Sequence, residues 1–148
     1  MTDSSERLVS VVDDDERLRR SVRNLLTSVG FRVETFASAQ EFLLSGHREQ
    51  TGCLVLDLRM PGMTGLQLLA RLAAIGSRIP AVILTAHNDD EARGRALQAG
   101  AAAFLGKPFR GDVLLDAVRT ALGRGDPRAF DATTVEAGPD PDYGRRWP

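Results

Sequence analysis

The chain has 148 residues, 43% hydrophobic and 26% charged, with a net charge of −1. That length suits one domain, which buries roughly 68–70% of its unfolded surface and needs no staples. The near-neutral balance gives no basic footprint for nucleic acid or an anionic membrane, and the single cysteine, Cys53, excludes an internal disulfide or a cysteine zinc site.

The first apolar run, "LVSVV" (8–12), is far too short for a signal-peptide core or a membrane span. It reads as a buried strand ahead of the acidic run "DDDE". Leu18, Val22, Leu25, Leu26 and Val29 then recur at helical spacing until Gly30 stops the pattern. Residues 31–36 alternate as a second strand. Ser38 with Glu41 makes a capping-box signal for a short second helix. Residues 53–56 form a third apolar strand that ends on a lone acid, Asp57. Thr64 caps a third helix carrying Leu66, Leu69, Leu72 and Ile75, closed by Gly76. Pro80 precedes a fourth strand, 81–85, and 89–100 reads as a fourth helix ending on glycine. Residues 102–105 read as a fifth strand. The fifth helix, 113–122, sets Leu114, Leu115, Val118 and Leu122 on one face before Gly123.

From Arg124 the apolar period stops, and Pro127, Pro139, Pro141 and Pro148 follow. The expected division is therefore a domain over 1–123 and a Pro-rich C-terminal tail over 124–148. The tail, with Phe130, Tyr143 and Trp147, reads as a proline-broken end, a docking segment being the alternative.

Five strand–helix alternations argue for an α/β fold with a parallel sheet and helices on both faces. Right-handed crossovers make that sheet doubly wound, with its functional groups at the carboxyl ends of the strands. The first strand ends at Asp13, Asp14 and Asp15, the third at Asp57 and the fourth at Thr85, while the fifth runs into Lys107 and Pro108. If strands one and three are neighbours, these carboxylates converge, repel and demand a cation. Hard oxygen ligands without histidine or cysteine suggest Mg²⁺ rather than Zn²⁺. Mg²⁺ needs only one or two protein carboxylates, which leaves one acid for chemistry. Lys107 and the Thr85 hydroxyl can clamp phosphoryl oxygens opposite it, and Asp57 can serve as a nucleophile that forms an aspartyl phosphate.

Taken singly, the other residues have plainer roles. Asp15 reads as a helix N-cap or first-turn acid. Phe109 and Cys53 read as buried, and Phe104 by spacing alone as core. His47, in "SGHREQ", and His87 read as solvated, as do Arg71, Arg93 and Arg95 on helix faces.

The motifs "VVDDDE" (11–16), "LVLDLRMPGMTG" (54–65), "ILTAH" (83–87) and "FLGKPF" (104–109) resemble, in this order, those of the receiver domain of two-component response regulators. The match is closest to the FixJ type and covers about residues 8–122. The resemblance implies a flavodoxin-like five-stranded sheet of order 2-1-3-4-5 with five helices. It implies that Asp57 is the phospho-acceptor and that Asp14 ligates the metal directly, with Asp13 acting mainly through water. Arg59 would lend a backbone carbonyl to the metal. Thr85 would be the switch hydroxyl, Phe104 the aromatic switch residue, and Lys107 the phosphate-pairing lysine ahead of a cis bond to Pro108. Ala102 and Ala103 depart from the polar or acidic residues common before the aromatic.

The function so implied is a cytoplasmic single-domain response regulator. It takes a phosphoryl group on Asp57 from a sensor histidine kinase or a small phosphodonor in a Mg²⁺-dependent reaction. It is not an enzyme beyond its own phosphorylation and dephosphorylation. Its output runs through the face of the fourth helix, fifth strand and fifth helix, to a protein partner or to phosphorylation-dependent self-association. The tail is too short for a helix-turn-helix domain, so direct DNA binding is not expected, and the near-neutral charge and short first apolar run give no expectation of membrane binding. The rivals are a phosphorylation-independent adaptor, a phosphate sink, and an Mg²⁺-dependent phosphatase. The last usually carries a second aspartate where this chain has Arg59. No G-x-x-x-x-G-K-[ST] motif occurs, which excludes a P-loop enzyme as far as motifs can.

Overall fold

The computed structural model describes residues 8–86 and 89–123. Among them five strands and five α-helices alternate: β1 (Leu8–Val12), α1 (Glu16–Ser28), β2 (Arg32–Phe36), α2 (Ala39–Leu44), β3 (Thr51–Leu56), α3 (Gly65–Ala74), β4 (Ala81–Thr85), α4 (Asp90–Gln98), β5 (Ala103–Gly106) and α5 (Gly111–Gly123). All pairings are parallel and the order is β2-β1-β3-β4-β5. This is the doubly wound flavodoxin-like sheet that the resemblance implies. No described helix is long and apolar enough to cross a membrane.

β1, β3, β4 and β5 are buried on both faces, which is why they read as largely apolar runs, whereas the edge strand β2 alternates between exposed and buried residues. Successive side chains still point to opposite faces, and so feed two cores. Val9, Val11, Cys53, Val55, Val82, Leu84 and Leu105 pack with Val22 and Leu26 of α1 and with Leu114, Val118 and Leu122 of α5. Val12, Leu54, Leu56, Ile83 and Phe104 pack on the other side with Phe42 of α2, Leu68 and Leu72 of α3 and Ala96 of α4. Full burial of one such side chain is worth about 1.5–3 kcal/mol.

The helix ends follow local chemistry. Asp15 caps α1, its side chain accepting from the amides of Arg17 and Leu18, as the sequence reading expected. Gly30, predicted to end that helix, has φ 99°, a region favourable only to glycine. Thr64 and Gln67 form a reciprocal capping box on α3. Ser38 caps α2, but Glu41 reaches back to the Ala37 amide, one residue earlier than a strict box requires.

Several expectations need correction. β3 begins at Thr51, two residues before the apolar run. Thr51 is buried, and its hydroxyl is satisfied by Ser10 Oγ at 2.8 Å and by the His47 carbonyl at 2.8 Å. A polar residue thus joins a buried strand because its hydrogen bonds are made inside the fold. The β1–β3 register jumps from Leu8↔Thr51 to Val9↔Cys53, leaving Gly52 at an irregularity. β5 is shifted one residue later than read, and α5 starts two residues earlier, at Gly111. His47 is not simply solvated. It is half-buried, its ring lies 5.9 Å from that of Phe36, and a 3₁₀ turn at Arg48–Gln50 follows it. His87 and the segment 124–148, with Phe130, Tyr143 and Trp147, lie outside the described residues.

Candidate functional site

The acids meet because β1 and β3 are hydrogen-bonded neighbours in matched register, Val12 opposite Leu56. One step beyond, the Asp57 amide donates to the Val12 carbonyl at 3.1 Å, and the Asp13 amide donates to the Phe36 carbonyl at 3.1 Å. Both side chains therefore leave the sheet at the same height. Asp13, Asp14 and Asp57 each offer an oxygen within 4.8 Å of the others. Asp13 is 2% exposed and Asp57 7%, while Asp14 is open to solvent.

Lys107 closes the site from the far strand. The ladder between β4 and β5 runs on past Thr85↔Gly106, so that the Lys107 amide donates to the Thr85 carbonyl at 2.9 Å. The Lys107–Pro108 peptide is cis. Lys107 Nζ donates to Asp13 Oδ2 at 2.9 Å and to Asp57 Oδ2 at 3.4 Å. Asp57 Oδ1 in turn accepts from the Arg59 amide at 3.3 Å, which folds the loop after β3 back over its own acid. The Arg59 side chain points to solvent.

Thr85 ends β4 fully buried. Phe104 is 4% exposed and belongs to the core cluster that holds Ile83, Ala96 and Ala101. Its ring is already inside the fold, so the spacing-based reading as core describes this state. Phe109 is half-buried against the other core. Cys53 is enclosed in β3, and burial pushes its thiol up to about 12, which makes it inert as a nucleophile.

Sequence reading missed one residue that shapes the site. A Cβ on Gly65 would lie 2.3 Å from the Asp57 carbonyl oxygen and 2.8 Å from Leu58 Cα. The Gly65 amide donates to the Leu58 carbonyl at 2.8 Å, so α3 starts hard against the backbone that carries the acid. The available signal was a glycine directly after a threonine cap, a poor helix former at the start of a helix.

The electrostatics are those of crowded anions around one cation. Burial pushes the Asp13 carboxyl above its ordinary range; Asp57 adds to this, while the Asp15 amide and Lys107 oppose it. For Lys107 burial alone acts downward, but the hydrogen bond and charge of Asp13, helped by Asp57, prevail and hold the ammonium's pKa above its usual value. The upward shift of Asp13 comes from burial beside another acid and not from the bridge, whose effect is downward. At 2.9 Å the pair is an ion pair. Two of the three clustered carboxylates, Asp13 and Asp57, share one ammonium, and Asp14 has no hydrogen-bond or ion-pair partner among the described residues. This all-oxygen donor set, with charge to spare and one free carboxylate, fits a hard divalent cation such as Mg²⁺.

The response regulator receiver domain family matches residues 9–119. Nodulation protein W of Bradyrhizobium diazoefficiens is 45% identical over 132 residues, which are 89% of this chain and 58% of that protein. Response regulator protein TmoT of Ectopseudomonas mendocina is 42% identical over 117 residues, 79% of this chain and 53% of that one. The chain spans about half the length of the curated relatives it matches. Among solved structures, the response regulator StyR superposes with a TM-score of 0.76 at 50% identity, covering 84% of this chain and 63% of that one. FixJ-N gives 0.73 at 38% identity, covering 82% and 95%. The acidic strand ends, the lysine that reaches them and the order of the sheet thus have one common source: this chain belongs to the response regulator receiver domain family.

Proposed function

We propose that Asp57 accepts a phosphoryl group from a sensor histidine kinase or a small phosphodonor, with Mg²⁺ held by Asp13, Asp14, Asp57 and the Arg59 carbonyl. The observation that carries this reading is Lys107 Nζ, brought across the sheet to 2.9 Å from Asp13 and 3.4 Å from Asp57. When bound, Mg²⁺ neutralises the crowded carboxylates and the charge on the transferring oxygens. Asp57 attacks phosphorus in line; the P–N bond of a phosphohistidine breaks, its electron pair stays on the imidazole, and solvent supplies the proton. Lys107 and the Thr85 hydroxyl hold the equatorial oxygens, so the residues act by position and charge.

The product adds roughly −1.5 to −2 charge units by analogy with other phosphorylated side chains. Thr85 and Phe104 relay that change to the face of α4, β5 and α5, which engages a protein partner or a second copy. A complete switch from 1:99 to 99:1 requires about 5.5 kcal/mol of differential stabilisation. In this reading residues 1–123 are the receiver unit, 124–148 are a Pro-rich tail, and the receiver unit acts in the cytoplasm.

The test is intact mass after incubation with acetyl phosphate, with and without Mg²⁺, beside Asp57→Asn. A Mg²⁺-dependent gain of one phosphoryl group, absent from the variant, supports the reading. No gain, together with no binding of beryllium fluoride, overturns it in favour of a binding module that kept the motif.

A further inference from the structure

Arg19 stands on α1, half-buried, a few residues after the run Asp13, Asp14, Asp15 and Glu16. With four acids so close, an ion pair would be the ordinary outcome, as Arg20 shows by pairing with Glu16 at 3.0 Å. Arg19 instead makes no ion pair among the described residues. Its Nη1 donates to the backbone carbonyl of Asp13 at 2.7 Å.

That carbonyl lies just past the end of β1. It also belongs to the planar peptide unit that carries Asp14, so fixing the oxygen fixes the plane from which Asp14 departs. The other groups of Asp13 are held as well: its amide by the Phe36 carbonyl, Oδ1 by the Asp15 amide at 2.9 Å, and Oδ2 by Lys107. Asp14 has no such contact among the described residues, and its direction is set by the backbone alone.

We propose that Arg19 is a positioning residue for the metal: its guanidinium clamps the Asp13 carbonyl and so orients the Asp13–Asp14 pair while leaving both carboxylates free to face a cation. The inference rests on the metal reading given above. It assigns Arg19 no contact with the metal or the phosphoryl group.

The test is Mg²⁺ titration of the unphosphorylated protein by calorimetry for R19M, R19K and R20M, with metal-free melting in EDTA beside it. R19M should weaken Mg²⁺ binding about tenfold, the lower end for loss of a group that orients a metal ligand. R19K, which keeps a cationic donor, should recover most of it, and R20M should match the unaltered protein. At saturating Mg²⁺ the initial rate of phosphorylation by acetyl phosphate should return in R19M to that of the unaltered protein. Should R19M not fold, the shorter R19Q takes its place. Unchanged Mg²⁺ affinity in R19M, or equal weakening in R19K, overturns the clamp alone. If the unaltered protein binds no Mg²⁺, the metal reading itself fails and takes the clamp with it.

Discussion

Lys107 Nζ lies 2.9 Å from Asp13 Oδ2 although two strands, β3 and β4, separate the strands that carry them. The lysine follows an edge strand and reaches back across the carboxyl end of the sheet. It thereby ties β5 to the centre at the point where the acids gather.

Replacing Lys107 by Met should destabilise the metal-free protein by about 2 kcal/mol, below the usual cost of breaking a fully buried pair because the Lys107 side chain is 19% exposed. The cause is two buried carboxylates left without their cation. Mg²⁺ then replaces the missing charge, so the deficit should shrink when the metal is added, and Mg²⁺ itself should bind more tightly. Urea unfolding with and without Mg²⁺ reads both effects. An equal deficit in the two conditions would mean that the lysine acts through packing alone.

The pH dependence of Asp13 has a definite sign. Its folded pKa is raised, so between the ordinary carboxyl value of 3.8 and the folded value the native state holds a proton that the unfolded chain has lost. Its contribution is favourable at the acid end of that window and declines as pH rises through it. The stability of the metal-free protein relative to Asp13→Asn should therefore fall with rising pH across the window. Paired urea titrations at several pH values measure the difference, and a difference that grows with pH contradicts the assignment.

Asp14 and Asp15 are adjacent acids with separable expectations. Asp14→Asn should lower Mg²⁺ affinity strongly yet leave metal-free stability nearly unchanged, since Asp14 has no partner among the described residues. Asp15→Ala should cost about 1 kcal/mol of stability through the lost N-cap, whereas Asp15→Asn should restore it. Calorimetric titration and thermal melting of the three variants separate ligand from cap. A stability loss in Asp14→Asn as large as that in Asp15→Ala would reverse the assignment.

Two glycines in helices should respond in opposite directions. Gly65→Ala forces a methyl against the backbone of Asp57 and Leu58, so it should cost about 1–3 kcal/mol or more and slow phosphorylation. Gly94→Ala, inside α4 with nothing within 4 Å, should stabilise by roughly 0.5–1 kcal/mol. Equilibrium unfolding of both decides, and a neutral Gly65→Ala would refute the claim that α3 is seated on the backbone of Asp57 and Leu58.

Cys53, with its thiol pushed up to about 12, should resist thiol reagents in the folded protein and react at once in denaturant. Ready labelling under native conditions would show that β3 opens far more often than its burial implies.

Much was legible in the chain because its physics is local. The apolar runs at Leu8–Val12 and Ala81–Thr85 coincide with β1 and β4, since strands buried on both faces are built mostly from apolar residues, with Ser10 and Thr85 the buried polar exceptions. The caps at Asp15, Ser38 and Thr64 were readable because a short side chain satisfies amides two or three residues on. The motifs also named the residues that the sheet brings together: Asp13, Asp14, Asp57 and Lys107. Thr51 escaped because its burial depends on a hydroxyl partner, Ser10, forty-one residues away. Gly65 and Arg19 escaped for the same reason of distance or of chemistry: one is defined by a backbone approaching in space, the other by a carbonyl that every residue possesses.

By itself, then, the sequence determined the alternation of elements, the two-sided burial of the sheet and the identity of the acids at its strand ends, because periodicity, capping and residue type act over a few positions. Only the tertiary structure decided that Lys107 meets Asp13 across two strands, that Phe104 lies inward beside Ala96, and that Arg19 spends its charge on a carbonyl amid four acids. Those relations are set by strand order and by the close approach of distant backbone, and neither leaves a local trace in the chain.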